Sequence, residues 1–193
     1  NAIGIREGDS LLEAKLTDGN CDIMIAANSG KAIRFPESKV RAMGRGASGV
    51  RGISIDISKN FVVGMICVNN FDSNVLVVSE NGYGKRSDID SYRITNRGGK
   101  GVKTINITTK TGNLIAIKNV IDSDGLMIIN KSGVMIRMNV EAMRVMGRAT
   151  QGVKLINLKE SDQISSVAKV EIDESDETDS VVSDNEFTDD KEN

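Results

Sequence analysis

Gly44-Arg45-Gly46-Ala47-Ser48-Gly49-Val50-Arg51 recurs as Asn96-Arg97-Gly98-Gly99-Lys100-Gly101-Val102-Lys103, and again as Gly147-Arg148-Ala149-Thr150-Gln151-Gly152-Val153-Lys154. The copies lie 52 and then 51 residues apart. In that register Gly30, Gly82 and Gly133 coincide, each beside an Asn or Ser. Four basic positions follow each of these glycines at fixed spacing. They are Arg34, Arg86 and Arg137; Arg41, Arg93 and Arg144; Arg45, Arg97 and Arg148; and Arg51, Lys103 and Lys154. A self-similar period of this length is the mark of a blade or solenoid architecture, in which each unit completes its core against its neighbours.

The segments between the motifs read as strands throughout. Leu11–Leu16, Asp22–Ala27, Ala32–Phe35 and Val50–Ile55 are short runs rich in β-formers, separated by turn residues. Phe61–Val68, Val75–Ser79, Gly84–Ser87 and Val102–Ile107 repeat the series, as do Leu114–Val120, Leu126–Asn130, Val134–Arg137 and Val153–Leu158. Ile164–Val170 is a further strand. Asn28-Ser29-Gly30, Glu80-Asn81-Gly82 and Lys131-Ser132-Gly133 each join two strands with glycine last, a tight-hairpin signal. No window sustains helical periodicity. The expected fold is all-β and propeller-like, about three four-stranded blades forming a partial arc over residues 1–170, with repeats at about 11–60, 61–112 and 113–158. Ile3–Ile5 resembles Ile53–Ile55, so the first residues are expected to belong to an earlier repeat. Asn1-Ala2, without an initiator Met, suggests that the native protein continues upstream.

Charge is segregated along the chain. Residues 1–170 hold 24 bases and 16 acids, a net of +8, whereas 171–193 hold 11 acids and one base, a net of −10. The overall −2 conceals a basic body with an acidic appendage, an asymmetry typical of chains that bind nucleic acid. The composition of 171–193 predicts a flexible tail, because it cannot bury enough apolar surface to offset ordering. Such a tail, tethered to a basic body, is placed either to solubilise it or to compete with a polyanion for it.

Two of the four repeated bases sit in a longer loop between the third and fourth strands of each repeat, exemplified by Pro36–Gly49, which also carries the Gly-rich motif. Arg and Lys supply charge there, and exposed turn N–H groups can hold phosphate oxygens. The glycines serve equally well to shape a turn that packs one blade on the next. The candidate binding set is Arg34, Arg41, Arg45, Arg51, Lys85, Arg86, Arg93, Arg97, Lys100, Lys103, Arg137, Arg144, Arg148 and Lys154. Arg34, Arg86 and Arg137 are expected on one exposed rim. Arg45, Arg97 and Arg148 either join that rim or tie blade to blade.

Other chemistry is poorly supplied. The chain has no His, so Ser-His-Asp triads and His metal sites are excluded. Gly44-x-Gly46-x-x-Gly49 matches a dinucleotide fingerprint only formally, since no βαβ unit surrounds it. Gly82–Ser87 lacks the spacing of a phosphate-binding loop. Tyr83 and Tyr92 read as structural residues, and no catalytic or metal site is expected. Cys21 and Cys67 form no ligand pattern and read as reduced thiols of a cytosolic protein. No apolar run reaches membrane-spanning length.

The motifs Arg41-Ala-Met-Gly-Arg-Gly-Ala-Ser-Gly-Val-Arg-Gly-Ile53, Gly82-Tyr-Gly-Lys-Arg86 and Val145-Met-Gly-Arg-Ala-Thr-Gln-Gly-Val153 resemble later blades of the C-terminal domain of the DNA gyrase A subunit, or its topoisomerase IV relative. The resemblance spans about residues 3–170. It implies a β-pinwheel whose blades exchange strands, with duplex DNA bent around a basic rim regardless of sequence. It further implies a non-catalytic, cofactor-free region of a cytoplasmic ATP-dependent topoisomerase. The gyrase B subunit together with the N-terminal part of the A subunit would be its partners, with ATP and Mg used by those other domains. The family's box, Gln-Arg-Arg-Gly-Gly-Lys-Gly, has its nearest version at Thr95–Gly101, keeping five of seven residues but in a middle repeat. The intact box is expected upstream. The competing reading is a protein-interaction propeller. It lacks an aromatic surface, with no Trp, two Tyr and four Phe.

Overall fold

Hairpins set the positions of everything else. The computed structural model describes residues 3–69, 72–159 and 161–171. The first hairpin is β1 (Asp22–Ala27) with β2 (Lys31–Pro36). Next come β3 (Val62–Val68), then a second hairpin of β4 (Asn74–Ser79) and β5 (Tyr83–Asp88). The two-residue β6 (Val102–Lys103) and β7 (Leu114–Val120) precede the third hairpin, β8 (Asp124–Asn130) with β9 (Met135–Asn139). β10 (Val153–Lys154) and β11 (Ile164–Glu171) close the described chain. Each hairpin turn ends on a glycine at positive φ: 75° at Gly30, 79° at Gly82 and 87° at Gly133. Their amides donate to Ala27, Ser79 and Asn130 carbonyls. A Cβ at Gly30 or Gly82 would also collide with Ile107 or Ile156 of the following repeat.

No hairpin is completed by its own repeat. β3 lies antiparallel on β1, β7 on β4 and β11 on β8, while β6 and β10 cap β2 and β5. The sheets run β3-β1-β2-β6, β10-β5-β4-β7 and β11-β8-β9. The expected strand exchange is thus present, and sequence repeat and blade are out of phase. β3, β7 and β11 face one another in the interior, where they line an open channel of about 280 Å³.

Two cores fill the seams. Met24, Ala26, Val75, Val77, Leu114 and Tyr92 pack between the first and second sheets. Leu76, Val78, Leu126, Ile128, Val140 and Met143 pack between the second and third. Alternate residues of β4 therefore serve different cores, so the strand is apolar on both faces rather than alternating with polar residues.

Leu11–Leu16 and Val50–Ile55, expected as strands, are not strands. In register they match β3 and β6, which exist by pairing with the hairpin of the repeat before their own. Among the described residues no hairpin of an earlier repeat is present to accept either segment, and a strand without a ladder leaves its backbone polar groups to water. Leu16 is accordingly fully exposed. Within 171–193 only Glu171, the last residue of β11, is described; the expected acidic tail otherwise lies outside the described residues.

The rim expected of Arg34 and Arg86 is overturned. Both are buried, at 5% and 7% exposure. Arg34 Nε donates to Asp22 Oδ2 at 2.8 Å, and its NH1 donates to the Ile89 and Tyr92 carbonyls at 2.9 and 3.2 Å. Arg86 is held by other atoms: its Nε donates to the Met143 carbonyl and its NH1 to Asp122, an exposed carboxylate between β7 and β8. Each arginine thus satisfies the turn that follows the next hairpin, sealing a seam between sheets. β2 and β5 are not outermost strands, because β6 and β10 cover them. Arg137, at the matching place in β9, is exposed.

Lys85 is also buried, with no exposed area. In register it stands where the other hairpins have Ile33 and Ile136. Its Nζ donates to the Gly147 carbonyl. Burial, reinforced by the nearby Arg148 charge, lowers its pKa to about 8.

Removing Arg34 strands the Asp22 carboxylate in the seam, so Arg34→Ala is expected to lower unfolding free energy by about 3–5 kcal/mol, read from urea midpoints. For Lys85 the folded pKa lies below the unfolded one. Between about pH 8 and 10.5 the unfolded chain binds the extra proton, so this group makes stability rise with pH. Cys21, Cys67 and Tyr92, whose pKa values burial raises, act oppositely at higher pH but cancel against a Lys85→Met control. The stability advantage of Lys85→Met over the parent should narrow from pH 8 upward in denaturant titrations. A gap independent of pH would contradict the assignment.

Candidate nucleic-acid interface

The loops after β2, β5 and β9 leave the edge of each sheet that lies away from the inner strands β3, β7 and β11. The first two open with a single 3-10 turn, Glu37–Lys39 or Ile89–Ser91. The second and third loops then run along the preceding hairpin. Thr95 N donates to the Arg34 carbonyl and Met146 N to the Arg86 carbonyl, both at 2.9 Å. Ile94 pairs in parallel with Arg34, and Val145 with Arg86. After this contact the Gly-rich motif reverses the chain and delivers β6 or β10.

The question left open for the glycines resolves towards packing at two positions. Gly101 has φ 69° and Gly152 φ 82°, and an added Cβ would sit 2.5 or 2.6 Å from the Ala32 or Gly84 carbonyl oxygen. No side chain fits there without moving the seam. Gly49 has φ 80° but open space around it, so there only the turn itself asks for glycine.

Successive loops are fastened in series. Gly4 N donates to Ala47 O, Ser54 N to Gly99 O and Asn106 N to Thr150 O, at 3.2, 2.9 and 3.1 Å. These three bonds are equivalent in the repeat, which puts Ile3–Ile5 where Ile53–Ile55 lies one repeat later. Arg97 donates to the Lys39 and Arg51 carbonyls at 3.0 and 3.1 Å, and Arg148 to the Lys103 carbonyl at 2.8 Å. Of the two readings kept for this set, Arg97 and Arg148 therefore take the tie, each half-buried, while Arg45 is exposed.

What remains on the edge is a set of exposed bases: Arg41, Arg45, Arg51, Arg93, Lys100, Lys103, Arg137, Arg144 and Lys154. Two of the registers, Arg41/Arg93/Arg144 and Arg51/Lys103/Lys154, are exposed in all three copies. Arg93 and Lys100 stand at the wall of a groove of about 200 Å³ between β2 and its covering loop. Of the fourteen candidates, Arg34, Lys85 and Arg86 are withdrawn into the seams. The register held the signal for Lys85, since its counterparts Ile33 and Ile136 are core types. Sequence reasoning passed over Ile94 and Val145, exposed aliphatics directly after Arg93 and Arg144.

Tyr92 is a seam residue, its hydroxyl bonded to Thr104 and its pKa raised chiefly by burial. Tyr83 lies under Lys110, whose Nζ is 5.5 Å from the ring centre. Among the described residues no group of three or more His, Cys, Asp or Glu side chains is placed to hold a metal ion. No helix there is long and apolar enough to cross a membrane.

Comparison with known proteins agrees with this geometry. The model of the family described as DNA gyrase C-terminal domain, beta-propeller, matches residues 22–69, 73–120 and 126–171. Each matched stretch takes a hairpin together with the inner strand that completes it, as the sheets do. The DNA gyrase A subunit of Staphylococcus aureus (strain NCTC 8325 / PS 47) is 46% identical over 177 residues, covering 92% of this chain and 20% of that protein. The chain thus spans about a fifth of the length of the curated relatives it matches. Among solved structures, the C-terminal domain of DNA topoisomerase IV superposes with a TM-score of 0.83 at 22% identity, over 88% of this chain and 53% of that one. The DNA gyrase A C-terminal domain gives 0.79 at 24% identity, over 87% and 57%. These likenesses show the fold, and the matched family model and the sequence identity show the kinship: the chain belongs to the DNA gyrase C-terminal domain family of beta-propellers.

Proposed function

We propose that this region binds duplex DNA through its phosphates, without reading sequence, and bends it around the edge that carries the loops. In this reading it is the wrapping region of a gyrase A subunit. It presents a curved segment to a cytoplasmic holoenzyme completed by the N-terminal part of the same polypeptide and by the gyrase B subunit. Strand passage, ATP and Mg belong to those other parts, and the region itself needs no cofactor and performs no catalysis.

The observation that carries the reading is the repetition of exposed bases on consecutive, mutually fastened loops. A fold does not need like charges at matching places on neighbouring units, where they repel. A polyanion crossing the units does, because each neutralised phosphate releases counterions. Curvature comes from the blades, and the cost of bending the duplex is offset by the further phosphates that each successive loop reaches.

If about six to nine phosphates are contacted, log K for a random-sequence duplex should fall against log salt with a slope of about −5 to −8. Binding insensitive to salt would end the proposal. The combined Arg41→Ala, Arg93→Ala and Arg144→Ala variant should reduce the steepness of that slope by about 3, as three lost phosphate contacts require, without shifting the melting temperature. Arg34→Ala should behave oppositely, lowering the melting temperature while leaving the slope.

A further inference from the structure

The exposed side chains of Ile94 and Val145 lie in the middle of the basic edge, at 57% and 42% exposure. They occupy one register position, each following an exposed arginine, Arg93 or Arg144. Neither sits on a loose tip. Two residues earlier the chain is anchored by buried Tyr92 or Met143, and one residue later an amide donates to the Arg34 or Arg86 carbonyl at 2.9 Å. Each aliphatic side chain is therefore held outward by fixed backbone, although burying it would have stabilised the fold. The first loop has Ala42 at this place.

Building on the DNA-wrapping reading, we propose that Ile94 and Val145 enter the minor groove and wedge partly between base pairs, setting the points at which the duplex bends. Two aliphatics, each directly after an arginine in a chain with no Trp and two Tyr, do not make the aromatic-rich surface a protein partner needs. A single aliphatic side chain beside an arginine is, however, the arrangement by which bending proteins unstack one base step while holding the flanking phosphates. Arg93 and Arg144 supply that hold. The rigidity matters, because a wedge on a mobile loop would be displaced rather than open the step. No base-edge hydrogen bond is involved. The preference that results is for deformable pyrimidine–purine steps where the wedges fall.

The test uses the 193-residue chain and an end-labelled duplex carrying TA steps, with 2-aminopurine beside one of them. Energy transfer between the ends reports bending and 2-aminopurine brightness reports unstacking. The parent should bend the duplex and raise the brightness. The Ile94→Ser, Val145→Ser double variant should keep the salt slope and melting temperature but lose at least about half of both signals. Ile94→Leu in place of Ile94→Ser should restore them in part. If the parent binds with the expected salt slope and the double variant matches it in both signals, the wedges are refuted while the wrapping reading stands. If the parent does not bind the duplex at all, both fall together.

Discussion

Every sheet depends on strands given away by the following repeat. β1 and β2 have no inner neighbour until β3 arrives and no outer one until β6 does. A two-stranded ribbon is marginal in water, so the repeat is not a folding unit by itself. The core confirms this dependence, because β4 is apolar on both faces and has no interior of its own. Stability therefore resides in the seams, as expected for a quasi-one-dimensional array. The two segments that fail to form strands, Leu11–Leu16 and Val50–Ile55, are donor segments without a described acceptor.

This dependence divides the arginines. Arg34 and Arg86 carry charge into the seam, where the desolvation cost is met by Asp22 or Asp122 and by carbonyls that no strand partner would satisfy. Arg97 and Arg148 tie neighbouring units through main-chain acceptors, and the planar guanidinium of Arg97 forks between two of them. Only the positions beyond these ties remain on the surface. The same residue type, repeated at the same period, thus does two jobs: some copies hold the edge together and others charge it.

Much of this was legible in sequence because the period is written in turn glycines and in strand patterns. β1 was bounded to the residue, and the hairpins and all-β class followed from local chemistry. What sequence hid was set by distance. Nothing near Arg34 in the chain says that carbonyls 55 and 58 residues later will cover it. Periodicity also recorded the arginines without distinguishing tie from contact, since both roles repeat with the blades. The burial of Lys85 is readable from its register partners Ile33 and Ile136, whereas its charge taken alone points to the surface.

The seam and the edge are finally one mechanical object. The carbonyls that fasten the loops, Gly99 accepting from Ser54 N and Thr150 from Asn106 N, lie in the same loops that present Arg93, Lys100 and Arg144. Each loop is also held against its hairpin through the Arg34 or Arg86 carbonyl. A base on such an edge loses little freedom in its backbone when it meets a phosphate, so less of its electrostatic gain is spent on ordering. The angle between sheets is fixed by apolar cores, which are closely packed and resist continuous deformation. A polyanion bound along this edge must therefore adopt the curvature of the array, because the array cannot flatten to suit a straight one without opening the seams that hold its sheets together.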